Sequence, residues 1–354
     1  MTHFFSRILS IFFILPLTLS CNSNTTSSEE KDLLNRGGIP SPVSVTEQNQ
    51  SLKTGINMGN MLEAPAEGEW GLFMREGEYF PVIKSAGFSH VRVPIRFSTH
   101  AMKTAPYTLD EAFLKNRIDK IILAALDNGL SIIINIHHYD ELFTDPAANK
   151  ARFLAIWKQL GARYKNLPKE VYFEILNEPH DKLTPAIWND YLAEALTVIR
   201  TDNPNRTVLI GTAEWGGASG VTKLVLPADQ NLIVTIHYYN PFDFTHQGAD
   251  WVTTILPVGR TWPFGNDAAN LENEFKTLSN WATSNNRPIH IGEFGAYSKG
   301  DLFSRYSWTL AVRTTSQKYG FSCAYWEFAS GFGAYNATTG EWNESLLLAL
   351  IGKK

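Results

Sequence analysis

The sequence predicts an α/β fold, a (β/α)8 TIM barrel in a single domain, and three observations carry the prediction. Short apolar stretches alternate with helical patterns eight times between Thr54 and Ile351. The stretches are rich in β-branched and aromatic residues, as buried strands are, and between them apolar residues recur at three- and four-residue spacing. The residues just past the strands are almost wholly polar, ionisable or aromatic, and in such barrels the C-terminal strand ends build the functional site. The rival topology, a doubly wound open sheet, carries a Gly-rich phosphate loop after its first strand. Here the first strand gives Gly55-Ile56-Asn57-Met58-Gly59-Asn60, whose spacing does not fit that loop.

The first strand is expected over 54–58, before a helix that ends near Gly87. The second spans 90–95 and leads to a helix over 109–128, where Leu114, Ile118, Ile121, Ile122 and Ala125 share a face and Gly129 supplies the C-cap. The third covers 131–136, with a helix over 149–164. The fourth covers 171–176, with a helix over 185–201. The fifth, over 207–211, precedes a shorter helix. The sixth, over 232–236, is followed by a long loop and a helix over 271–283. The seventh covers 289–292 with a helix over 302–318, and the eighth covers 321–326 before a closing helix over 345–351.

Ahead of the barrel, His3 and Arg7 precede an apolar run over 8–19, too short and too early for a transmembrane span. Leu17-Thr18-Leu19-Ser20-Cys21 resembles a bacterial lipoprotein signal, with Leu19 departing from the small residue usual at that point. Residues 1–20 therefore read as a signal peptide, with Cys21 the lipidation site of an exported protein held at the cell surface or in the periplasm. The alternative is an ordinary secretory signal cleaved nearby. Residues 21–50, rich in Ser, Thr, Asn and Glu, read as a flexible tether, leaving 51–354 for the barrel. Only Cys323 would then remain, so no internal disulfide is expected, and its place in a buried strand suits inert packing. The net charge of -4 draws the chain to neither nucleic acid nor anionic lipid. Membrane contact would come only through the anchor, and a monomer is expected.

Two strand ends carry carboxylates. The fourth runs into Asn177-Glu178-Pro179, where the proline should hold Glu178 extended. The seventh runs into Gly292-Glu293-Phe294-Gly295. Side chains alternate along a strand, so Glu293 should share a face with Ile289 and Ile291, and Glu178 one with Glu174 and Leu176. Two carboxyls in one cleft push each other's pKa values apart, leaving one as an acid and the other as nucleophile or base, which is the equipment of a glycosidase. Glu174, deeper on its strand, suits a buried hydrogen bond. The other strand ends offer Asn60 and Glu63, Arg92, His137 and His138, Trp215, His237 with Tyr238 and Tyr239, and Trp326 with Glu327. His137, His138, His237 and His246 raise the question of a metal. Adjacent histidines on a strand face opposite ways, and no Asp-rich or His-x-His pair accompanies them, so neither metal nor cofactor is expected.

Taken together, Arg92 in Val91-Arg92-Val93-Pro94, the His137-His138 pair, Asn177-Glu178-Pro179, His237-Tyr238-Tyr239, Gly292-Glu293-Phe294-Gly295 and Trp326 resemble glycoside hydrolase family 5, a retaining (β/α)8 group that includes cellulases and mannanases. The resemblance runs from about Gly55 to the C-terminus. Gly59-Asn60-Met61-Leu62-Glu63-Ala64-Pro65, Ile136-His137-His138-Tyr139 and Phe244-Thr245-His246-Gln247-Gly248 are similar to a bacterial subgroup with endoglucanases that also cut mannans. The resemblance implies Glu178 as general acid/base, Glu293 as nucleophile and Asn177 on the sugar 2-hydroxyl. Arg92 should neighbour and acidify Glu293, and Tyr239 should donate to it. Glu178, with no cationic partner evident in the sequence, should stay protonated. His137 and His237 would hold the acid, the nucleophile or the substrate. Trp326 would stack on a sugar beside the scissile bond, with Asn60, Glu63, His138, Trp215, His246, Trp251 and Glu327 as further substrate contacts. Trp157, Trp188 and Trp281 fall within helices and suit packing. The activity so implied is endo-cleavage of β-1,4-linked polysaccharide, as an endo-β-1,4-glucanase or cellulase. The alternatives are an endo-β-1,4-mannanase, an enzyme of both kinds, and a catalytically retired glycan-binding surface lipoprotein.

Overall fold

The structure, a computed structural model, describes residues 34–352. The signal peptide, Cys21 and the tether as far as residue 33 lie outside the described residues.

Eight parallel strands close into a barrel in chain order. They are β1 (Thr54–Asn57), β2 (His90–Ile95), β3 (Ser131–Ile136), β4 (Val171–Glu174), β5 (Val208–Gly211), β6 (Leu232–His237), β7 (Ile289–Phe294) and β8 (Ser322–Tyr325). β8 pairs back onto β1 through Thr54↔Cys323, Gly55↔Ala324 and Ile56↔Tyr325, so no sheet edge is left open. Outward-facing strand residues such as Val91, Val93, Ile132, Ile134 and Val234 join one core with the surrounding helices. Those helices are α2 (Glu76–Ala86), α3 (Asp119–Asp127), α4 (Pro146–Tyr164), α5 (Pro185–Asp202), α6 (Asp267–Asn285), α7 (Leu302–Lys318) and α8 (Glu344–Ile351), with only a 3-10 turn over Ala218–Lys223 after β5. Trp157 and Trp188 pack in the core as expected, and each spends its indole N–H on a barrel carbonyl, Ile175 and Gly211, both at 2.9 Å. Trp281 packs at the edge of the same core.

Several boundaries differ from the sequence reading. α4 starts at Pro146 rather than 149, because Asp145 caps Ala148 N at 3.2 Å and proline suits the first helical turn. The helix expected over 109–128 contains a π turn over Leu114–Ile118 ahead of α3. The tether is corrected over 45–50. These residues form α1 (Val45–Leu52), whose first turn is capped by Ser44 Oγ from Glu47 N. Polar composition hid this helix, yet Ser44-Val45-Thr46-Glu47 has the form of a capping box, which is a helix-start signal. α1 closes the barrel floor: Leu52 packs with Ile133, Tyr172, Leu209 and Ile233 in a second apolar cluster, separate from the outer core.

Above that floor the barrel interior is polar. His90 Nδ1 lies 2.7 Å from Leu52 O, and His290 Nδ1 lies 2.7 Å from Ser322 Oγ. Their rings are 5.3 Å apart and wholly buried, and neither Nε2 has a partner. His90 lies across the barrel because residue 55 is glycine, where any Cβ would overlap its ring. Burial holds His90 at about 4 and His290 well below the ordinary imidazole range. Both are neutral when folded, while the unfolded chain takes up protons as pH falls through about 6.5. Their contribution is therefore intact above that pH and lost below it. Denaturant unfolding of wild type and of His290→Gln at pH 5 and pH 7 should show the wild type losing about 2 kcal/mol more than the variant on acidification, the share of one buried neutral histidine. Equal changes in the two proteins would refute neutral burial.

Candidate active site

The site begins with a register shift. Along β6 and β7, Val234↔Ile289, Thr235↔His290 and Ile236↔Ile291 pair in step, and then His237 pairs with Glu293, skipping Gly292. Ile289 and Ile291 face the outer core while His290 faces the interior. Strict alternation would have sent Glu293 outward with the isoleucines. The shift at Gly292 turns it into the mouth, so the expected shared face is corrected; such irregularities recur beside functional sites. The expectation for Glu178 is corrected too. β4 leaves the ladder after Glu174, and Glu178 adopts φ 42° rather than the extended form its proline neighbour favours. Its carbonyl meets His180 Nδ1 at 2.5 Å, and Pro179 O accepts from Trp215 N at 3.3 Å, so the turn is held from both sides. Left-handed backbone in a glutamate is strained by about 1–3 kcal/mol, and such strain gathers where a side chain must be aimed.

Arg92 fills the barrel centre with no exposure. Its Nε and Nη2 grip Glu174 at 2.6 and 2.7 Å, Nη1 donates to Glu293 Oε1 at 2.7 Å and to Asn57 Oδ1 at 2.8 Å, and Nη2 donates to Asn177 Oδ1 at 2.8 Å. Glu174 thus makes the buried hydrogen bond expected of it. With its oxygen spent on Arg92, the Asn177 amide is turned to donate outward. Tyr239 OH donates to Glu293 Oε2 at 2.9 Å. His237 Nδ1 stands between the two carboxylates, 2.6 Å from Glu178 Oε1 and 3.5 Å from Glu293 Oε2.

The protonation pattern differs from the one the sequence suggests. Burial alone would raise Glu178, but the hydrogen bond and charge of His237 outweigh it and hold the carboxyl below its ordinary value. Burial raises Glu293, more than His237 and Arg92 bring it down. His237 is in turn raised, because the two carboxylates outweigh its burial. Glu178 does have a cationic partner, contributed by a strand far away in sequence. The lowered Glu178 and the raised His237 keep a proton within the pair, on the imidazole side. Ligand oxygens or nitrogens of Glu178, His237 and Glu293 lie within 4.8 Å of one another, the one such metal-sized trio among the described residues. Hydrogen bonds to Arg92, Tyr239 and each other already occupy it.

Around this centre stand aromatic and imidazole rings. Trp326 stacks parallel to His137 at 5.8 Å, and a Cβ on Gly59 would touch its indole at 2.8 Å, so the loop after β1 passes directly beneath that ring. His137 takes its orientation from Asn135 Nδ2 at 3.1 Å and contacts His138 edge-on at 4.7 Å. His246 meets Tyr239 at 5.0 Å, and Trp251, 55 % exposed, reaches the same group through Phe332. Trp215, 57 % exposed, stacks on His180 at 3.6 Å. Two expected substrate contacts are corrected. Glu327 has no exposure and accepts from Asn60 Nδ2 at 3.0 Å, while Glu63, 1 % exposed, accepts from the Asn60 and Met61 amides. Both brace the half-buried Asn60 from behind and touch no open space. The sequence reading also passed over Asn57, Asn135, His180 and Phe332. Asn135 sits two residues before His137, a signal that could have found it, whereas Asn57 has glycine at both such positions and carried no such signal.

The family described as Cellulase (glycosyl hydrolase family 5) matches residues 47–331. The chain belongs to glycosyl hydrolase family 5. Endoglucanase H of Acetivibrio thermocellus is 35% identical over 318 residues, 88% of this chain and 34% of that protein. The cellulase/esterase CelE of the same organism is 30% identical over 300 residues, 78% of this chain and 36% of that protein. The chain thus spans about a third of the length of these two relatives. Among solved structures, Thermotoga maritima Cel5A in complex with mannotriose superposes with a TM-score of 0.85 at 53% identity, covering 86% of this chain and 99% of that one. A hyperthermophilic endo-β-1,4-glucanase in complex with substrate gives 0.86 at 46% identity, covering 88% and 100%.

In this family 5 chain the Asn60 brace has a measurable signature. Burial pushes Glu63 up to about 7 and Glu327 up to about 8. For a carboxyl raised on folding, the native state keeps a proton that the unfolded chain releases above about pH 4.5, so stability falls as pH rises toward the folded value. Glu327→Gln keeps an oxygen for Asn60 Nδ2 and removes the titration. Between pH 5 and 8 the wild type should lose on the order of 3 kcal/mol more than the variant, read from urea midpoints. Parallel pH profiles would refute the buried neutral acid.

Proposed function

We propose that the chain is a retaining endo-β-1,4-glucanase of the cellulase type that works by double displacement. The observation that carries this is the convergence of the two carboxylates, one oxygen of each lying with a His237 nitrogen in a trio within 4.8 Å of one another, too close for a water-sized gap between the groups. Retaining glycosidases hold their carboxyls about 5–5.5 Å apart, whereas inverting ones leave about 6.5–9.5 Å for a water. Glu293, aimed by Arg92 and Tyr239, is the nucleophile. Glu178, at the more open position, is the acid/base.

In the first step Glu293 attacks the anomeric carbon as Glu178 gives its proton to the leaving oxygen, forming a glycosyl ester on Glu293. In the second, Glu178 takes a proton from water, which cleaves the ester and regenerates both groups. His237 shares the travelling proton with Glu178. The Asn177 amide, set by Arg92, donates to the sugar 2-hydroxyl, a bond that strengthens as the ring becomes oxocarbenium-like. Trp326 offers the face on which that ring lies, with Asn60, His137, His138 and His246 as polar contacts and Trp215 and Trp251 at the two margins. β-Glucan is favoured over mannan because both curated relatives above are named for cellulose or glucan cleavage. The intact pair of carboxylates argues against a retired binding protein. We further propose export with an anchor through Cys21, a reading supported by residues 1–21 of the sequence. No helix among the described residues is long and apolar enough to cross a membrane.

Glu178→Gln and Glu293→Gln should each lower kcat on soluble β-1,4-glucan by about 10²–10⁴-fold while binding persists. NMR of the first product formed should show the β-anomer, and an initial α-anomer would exclude retention. The profile of kcat/KM against pH should be bell-shaped. Its acid limb reports protonation of Glu293, above the ordinary glutamate value, and its basic limb reports loss of the proton shared by Glu178 and His237, above the ordinary imidazole value. His237→Asn removes one holder of that proton and should draw the basic limb downward; an unmoved limb would put the proton elsewhere.

A further inference from the structure

Trp70 stands outside the site described so far, in the loop after β1. The large indoles that serve packing, Trp157, Trp188 and Trp308, are 0–1 % exposed, whereas Trp70 is 41 % exposed. It is nevertheless fixed. Arg117 clamps the loop at both ends, gripping Glu67 at 2.5 and 2.9 Å and the Met74 carbonyl at 2.9 Å, while Glu67 also accepts from Met74 N at 2.9 Å. The Arg96 guanidinium lies 6.0 Å from the Trp70 ring, and is itself held by the Glu63 carbonyl at 2.7 Å and by Asp140 at 3.2 Å. On another side Trp70 meets His138 at 5.9 Å and 72°.

These contacts join Trp70 to the centre. Ring follows ring from Trp326 to His137 at 5.8 Å, to His138 at 4.7 Å and to Trp70 at 5.9 Å. A held but exposed indole at the end of such a series has the chemistry of a pyranose platform: a flat apolar face for the C–H side of a sugar, with guanidinium N–H groups beside it for hydroxyls. We propose that Trp70, backed by Arg96, is an outlying subsite that stacks a β-linked hexose unit a sugar or two beyond the ring seated at Trp326. It is a specificity-determining residue for longer chains and touches no reacting atom.

This proposal rests on the glycosidase reading, and the two can fail separately. Trp70→Ala and Trp70→Phe would be compared with wild type on β-1,4-gluco-oligosaccharides of increasing length and on soluble polymer. Trp70→Ala should lose about tenfold in kcat/KM on the longest substrates, mainly through KM, and less than about twofold on the shortest one cleaved. A tenfold loss corresponds to about 1.4 kcal/mol, in keeping with one stacking contact. Trp70→Phe should recover most of it. A loss equal at every length would mark Trp70 as a structural residue of the loop, and no loss at any length would mean that substrate never reaches it; either overturns the subsite. Calorimetric titration of the same oligosaccharides needs no turnover, so the length-dependent loss of affinity in Trp70→Ala tests the subsite even where hydrolysis is absent.

Discussion

The structure depends on one buried cation. Arg92 joins β2 to β1 through Asn57, to the β4 region through Glu174 and Asn177, and to β7 through Glu293. A guanidinium withdrawn from water costs several kcal/mol unless its donors and charge are answered. Here the answering groups come from three other strands and the turn after β4, so the barrel must close for the charge to be tolerated. The same closure sets the Glu293 carboxylate and the Asn177 amide at fixed distance. Folding and site assembly are one event at this residue, and its fork geometry is one that lysine could not reproduce.

Above Arg92 the electrostatics are arranged in two tiers. Glu174 neutralises the cation from below, which leaves Glu293 only part of its influence and lets burial raise it. Glu178 instead leans on His237, a titratable partner, and so exchanges protons at ordinary pH. Glu293 is oriented by an arginine that never gives up its charge, whereas Glu178 is bonded to a histidine that can take or release a proton. The two carboxylates are thus told apart by the group that hydrogen-bonds each most closely, Arg92 and Tyr239 for Glu293 and His237 for Glu178.

Much of this was legible in the sequence. Eight strand signals gave the barrel, and the ionisable residues past the strands gave Arg92, Asn177, Glu178, His237, Tyr239 and Glu293, because strand ends of one barrel converge wherever they fall in the chain. Four things were hidden. The register shift at Gly292 depends on pairing between β6 and β7, and period-two alternation carries no sign of it. The His237–Glu178 contact spans fifty-nine residues of chain, so the protonation of Glu178 could not be read from its neighbours. Glu63 and Glu327 have the composition of substrate ligands and differ from them only in burial, which polarity at a strand end does not encode. α1 was hidden by its polar residues, although its capping box was in plain view.

That helix also fixes how the molecule is held. α1 seals the floor, and the segment before it stays on the same side, where Pro40 O accepts from Asn205 Nδ2 at 3.0 Å ahead of β5. The chain therefore enters at the face opposite the carboxylates. Any attachment made through the N-terminal segment would present the mouth outward, like a cup held by its base. A long polymer could cross the open face without passing such a point of attachment, and the reach of the enzyme would be set by the length of chain ahead of α1 rather than by the barrel.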